Sequence, residues 1–114
     1  MPHTHHTINY IELPCTDTQT IKTFYSTVFH WTFEDWGSDY VSFKGAGVDG
    51  GFTTSATISP DGPLIVLYSK SLEDTLQAVK AAGGTIQKEI FPFPGGRRFH
   101  FLDPNGNQLA VWSE

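Results

Sequence analysis

The feature that most constrains this chain is an order of elements (strand, helix, then three strands) that the hydrophobic pattern gives once and then gives again. Residues 7–13 (TINYIEL) alternate and are rich in β-branched and aromatic side chains, which predicts a strand. Asp17 follows as an N-cap, and Ile21, Phe24, Tyr25 and Val28 recur at helical spacing. Short strands are expected at 30–36, 39–44 and 47–53, with Gly37 and Gly45 as turn punctuation. Residues 54–62 are small, polar and turn-prone, and read as a mobile linker.

The order then recurs. Residues 63–69 (PLIVLYS) form an apolar strand, and Ser71 with Asp74 resembles a capping box at the head of a second helix. Leu72, Leu76, Val79 and Ala82 line one face of that helix, and Gly83 and Gly84 stop it. Strands follow at 85–90, 97–102 and 107–112, the last two joined by a tight turn at Asp103-Pro104-Asn105-Gly106. The expected fold is α+β: two βαβββ modules, about 7–53 and 63–114, within a single domain of 114 residues. Each helix covers one face of its sheet, so the other face stays open. Two such curved faces are expected to form a ligand groove.

Composition narrows the partners. Seven basic against twelve acidic side chains give a net charge of -5, and the only adjacent basic pair is Arg97-Arg98, so no nucleic-acid partner is expected. No apolar stretch approaches membrane-spanning length, and the N-terminus lacks a basic-then-apolar signal pattern. The single cysteine, Cys15, reads as a small packed or half-exposed thiol rather than a nucleophile and suits a reducing cytoplasm. His3, His5 and His6 read as an unstructured tail rather than a metal tract. His30, at a helix end, is favoured there by the dipole.

The segment INYIELPCTDTQTIKTFYSTVFHW resembles the opening of vicinal oxygen chelate (VOC) proteins, the glyoxalase/bleomycin-resistance/dioxygenase-like superfamily. The ending AAGGTIQKEIFPFPGGRRFHFLDPNGNQLAVW is similar to that superfamily's second module, above all in its Asp-Pro-x-Gly-Asn turn. The resemblance implies the VOC fold and commonly a homodimer. It leaves the chemistry open among lyases, isomerases, epimerases, dioxygenases, thiol transferases and sequestering proteins. It also implies four metal-donor positions, on the first and last strands of each module. Here these fall on Tyr10, the Gly50-Gly51 stretch, Leu64 and Ala110, mostly side chains without a donor atom. The expectation is therefore no metal ligands and no cofactor, with a divalent metal held by Glu12 and His100 as the minority alternative.

Strand alternation sorts the remaining candidates. Ile8, Tyr10 and Glu12, then Leu64, Val66 and Tyr68, should face the groove. So should Arg98, His100 and Leu102, together with Gln108, Ala110 and Trp112. Glu12 and His100 are the candidate catalytic pair for acid–base turnover, and Tyr10, Tyr68, Arg98 and Trp112 the candidate substrate-binding residues. The bland readings are an ion pair between Glu12 and Arg98 or Arg97, and a hydrogen-bonded core histidine at 100. Trp36, Tyr40 and Trp112 either stack on a planar ligand or, the commoner outcome for aromatic residues on strands, fill the core. Pro94-Gly95-Gly96-Arg97-Arg98 reads either as a flexible loop able to hold an anionic group or as a hairpin turn with solvated arginines. The function expected is binding of a small organic molecule. The competitors are a metal-dependent lyase or isomerase and a non-catalytic sequestering protein.

Overall fold

The computed structural model describes residues 3–59 and 61–114; Pro60, within the expected linker, lies outside them, as do Met1 and Pro2. Two compact units divide between Thr57 and Ile58, inside that linker. Each is a four-stranded mixed sheet with one helix, and neither sheet closes into a barrel.

The first unit contains β1 (Tyr10–Pro14), α1 (Thr18–Phe29), β2 (Thr32–Asp35), β3 (Tyr40–Lys44) and β4 (Asp49–Thr53), in sheet order β1-β4-β3-β2. β1 and β4 run parallel because the chain returns after the helix, and the other pairs are antiparallel. At the start of α1 the Asp17 carboxylate accepts from the Gln19 amide at 3.2 Å and from the Thr20 hydroxyl. At its end His30 adopts the left-handed conformation, φ 62°, and the Trp31 amide bonds back to the Tyr25 carbonyl. That bend sends Trp31 inward. Its ring stacks on Tyr25 at 4.8 Å and on Phe43 at 4.6 Å, with Phe24 and Phe52 completing an aromatic core. Cys15 is buried, the packed alternative of the two.

The second unit contains β5 (Ile65–Tyr68), α2 (Leu72–Ala81), β6 (Thr85–Phe93), β7 (Gly96–Leu102) and β8 (Gln108–Ser113), in order β5-β8-β7-β6. Leu72, Leu76 and Val79 on α2 bury against Phe99, Phe101, Leu109 and Val111. Each large side chain so enclosed contributes about 2 kcal/mol. The Asp103–Gly106 turn forms as expected, closed by the Gly106 amide on the Asp103 carbonyl at 2.9 Å.

Three expectations are corrected. Ser71 makes no side-chain cap to the helix backbone: its hydroxyl donates to Asp74 at 2.8 Å, and the Ser69 hydroxyl takes the Ser71 amide instead. Segment 94–98 takes the hairpin alternative over the flexible loop, since β6 runs to Phe93 and β7 begins at Gly96, but its arginines are held by Glu73 and by phenyl rings rather than solvated. Pro92 fits within β6 because that strand lies at the sheet edge, where its missing N–H can face outward. The histidine tail is an exposed turn, held by the Thr7 hydroxyl on the Thr4 carbonyl at 2.8 Å.

Candidate functional site

Helix α1 covers one face of the first sheet, and the other face presents Tyr10 and Glu12 from β1, Tyr40, Ser42 and Lys44 from β3, and Glu34 from β2. The Tyr40 and Tyr10 hydroxyls hydrogen-bond to each other, and Tyr40 also bonds to the Glu12 carboxylate. Burial, then these two bonds, push the Tyr40 phenol well above its usual range, so it stays protonated and donating. Trp36 caps this face, its indole donating to the Ser42 hydroxyl at 2.9 Å. A shallow pocket of about 350 Å³ lies among Tyr10, Glu34, Trp36 and Tyr40.

Three readings change here. Glu12 is exposed, where burial was expected, and its partner is a tyrosine. Arg97 pairs instead with Glu73, at 2.6 and 3.4 Å. Trp36, 59% exposed, does not fill the core, because it lies beyond the end of β2 on the open side, and Tyr40 lies on the same face.

The open face of the second sheet carries Val66 and Tyr68 from β5, Gln108, Ala110 and Trp112 from β8, Arg98 and His100 from β7, and Phe91 and Phe93 from β6. His100 is 5% exposed. The Gln108 side-chain amide donates to its Nδ1 at 3.1 Å, which puts the proton on Nε2, and Nε2 is buried with no partner. Burial, then the charges of Arg98 and Lys88, hold the imidazole below its ordinary pKa, so it is neutral at pH 7.

The Arg98 guanidinium lies between two rings, 5.5 Å from the centroid of Phe91 and 5.4 Å from that of Phe93, and its Nε is also buried without a partner. Trp112 packs edge-on against Tyr68 at 5.2 Å, and the Tyr68 hydroxyl donates to Glu114 at 2.8 Å. Within this unit the structure brings together four of the residues singled out from sequence: Arg98, His100, Trp112 and Tyr68. Phe91 and Phe93 were missed as site residues, and Gln108, placed on the groove side from sequence, proves to be the partner of His100. The i, i+2 spacing of Phe91 and Phe93 was the available signal, since alternate residues share a face.

Two βαβββ units, each with an open sheet face bearing polar groups, define a VOC-type protein. The chain belongs to the Glyoxalase/Bleomycin resistance protein/Dioxygenase superfamily, whose profile matches residues 7–111. Solved structures agree on the fold. A glyoxalase-related enzyme from Fulvimarina pelagi matches with TM-score 0.80 at 16% identity, over 96% of this chain and 88% of that one. A family enzyme from Burkholderia phytofirmans PsJN gives 0.81 at 15%, over 93% and 97%. A lactoylglutathione lyase from Agrobacterium tumefaciens gives 0.72 at 17%, over 95% and 93%. No curated protein matches the sequence.

The metal that many members use does not suit the residues present. Leu64 and Ala110 have no donor atom, and Tyr10 is bonded to Tyr40. At Gly51, a side chain would have to start where the Tyr40 ring already lies: a Cβ there would meet Tyr40 Cζ at 2.6 Å and the Val41 carbonyl at 2.7 Å. Among the described residues, no three His, Cys, Asp or Glu side chains cluster as a metal site requires. No helix among them is long and apolar enough to cross a membrane.

Proposed function

We propose that the chain binds a small organic molecule on its open sheet faces, independently of metal, with Glu12 and His100 as the groups available for proton transfer. The observation that supports this best is the buried, unpartnered Nε2 of His100. A buried donor without an acceptor costs about 1–3 kcal/mol, a cost that a ligand acceptor would relieve. The charges around it favour an organic ligand over a cation. Arg98 and Lys88 already depress protonation of His100, and they would repel a divalent metal by the same Coulomb interaction.

In this reading Tyr10 and Tyr40 flank Glu12 on the first unit's open face, and Tyr68, Arg98 and Trp112 line the open face of the second. The protein acts as a homodimer in the cytoplasm. The support for self-association is the exposed apolar surface, Tyr10 and Trp36 on one unit and Val66 and Tyr68 on the other.

The test is a metabolite screen read by thermal shift and native mass spectrometry, on protein before and after exhaustive chelation. A ligand whose binding and turnover survive chelation supports the proposal. Turnover that chelation abolishes and one divalent metal restores would overturn it. Light scattering at micromolar concentration tests the dimer, and a monomer mass would refute it.

A further inference from the structure

Neighbouring arginines on β7 have opposite fates. Arg97 points to the helix side and is neutralised by a two-point contact with Glu73. Arg98 points to the open side and, among the described residues, has no carboxylate partner. Phe91 and Phe93 nevertheless hold its guanidinium in place from their positions opposite Arg98 and Gly96. Fixing an arginine costs rotamer entropy, so a ligand meeting this one finds that cost already met.

Arg98 is also at a pocket. Together with Val66, Phe93, Trp112 and the Pro94-Gly95 turn it lines a cavity of about 330 Å³, within the range of small-molecule sites. Its walls are an aliphatic side chain and two aromatic rings, with Phe93 and Trp112 edge-on to each other at 6.2 Å. Glu114, two residues beyond Trp112, is bonded to Tyr68.

Resting on the binding reading above, we infer that this pocket takes a small monocarboxylate with a flat apolar body, its carboxylate paired to Arg98 and its body against Val66, Phe93 and Trp112. A guanidinium presents parallel N–H groups that match a carboxylate at two points. The pocket supplies one cation, which suits one negative charge. A phosphate dianion would want more donors than Arg98 offers with its Nε enclosed by the rings. Arg98 lines the pocket and His100, whose ring lies 5.7 Å from that of Phe91, does not, so the carboxylate meets Arg98 first.

The probes are 2-naphthoate and its neutral counterpart 2-naphthamide, titrated into the full chain by calorimetry, with the Trp112 indole resonance followed by NMR. The acid should bind at least ten-fold more tightly than the amide, weaken as salt is raised, and shift Trp112. In Arg98→Gln the acid-to-amide preference should fall to within two-fold, and Arg98→Lys should recover only part of it. The wild-type acid-to-amide ratio decides the matter even if a variant fails to fold. Equal binding of acid and amide, with both shifting Trp112, would overturn the carboxylate inference and leave the small-molecule reading standing. Binding of neither, with Trp112 unmoved, would overturn this inference and remove the second unit's pocket from that reading. A preference for the acid that persists in folded Arg98→Gln would also overturn the inference.

Discussion

The Tyr40 ring lies directly over the backbone of Gly51, the residue opposite Ser42 on β3 and Glu12 on β1. The space a side chain on β4 would occupy is thus taken by a phenol bonded to Tyr10 and Glu12. Gly51→Ala should cost about 1–3 kcal/mol, since the added carbon meets both a ring and a backbone carbonyl. Combining it with Tyr40→Ala should recover part of the loss, because the ring can be removed and the Val41 carbonyl cannot. Urea unfolding of the two single variants and the double variant measures this, and strict additivity would refute the overlap.

The Tyr40 phenol also sets an alkaline limit. Its folded pKa lies above the ordinary value of 10, so the stability it contributes is present below pH 10 and is lost as pH rises toward the folded value. Tyr40→Phe should remove that part of the alkaline decline. Glu12→Gln should leave stability at pH 7 within about 1 kcal/mol, because the amide oxygen still accepts from Tyr40. Absorbance titration should show one fewer late-ionising tyrosine in Tyr40→Phe than in the wild type, in which Tyr25 is also fully buried.

At the acid end the sign reverses in origin. His100 is held below 6.5 by burial and then by Arg98 and Lys88, so the unfolded chain binds its proton more readily than the native one. Its contribution therefore makes stability rise with pH between the folded pKa and about 6.5. The imidazole proton resonances should titrate below 6.5 in the wild type and move upward in Arg98→Gln. A His100 that titrates at or above 6.5 in the native protein would contradict the environment described.

The turn before β8 rests on one buried carboxylate. Asp103 accepts from the amides of Asn105 and Asn107 at 2.9 and 3.0 Å and from the Asn107 side chain at 3.0 Å. Asp103→Ala leaves these donors unsatisfied and should cost about 3 kcal/mol, while Asp103→Asn keeps one acceptor oxygen and should cost less. Thermal melts order the two variants.

The sequence by itself determined the two modules, their element order, both helices and the faces of their strands. These follow from periods of 2 and 3.6 and from turn residues, which are local properties of the chain. Alternation alone placed Arg98, His100 and Trp112 on one face of the second sheet. What each polar group bonds to depended on residues distant in sequence. Tertiary structure gave Glu12 to Tyr40 and Arg97 to Glu73, and left Arg98 between two phenyl rings with no acid among the described residues. It also carried β6 past residue 90 through Pro92 to Phe93, because β6 lies at the sheet edge, where a proline need not break the ladder. Periodicity fixes which way a side chain points, whereas its partner is fixed by the register between strands, through hydrogen bonds that no single segment encodes.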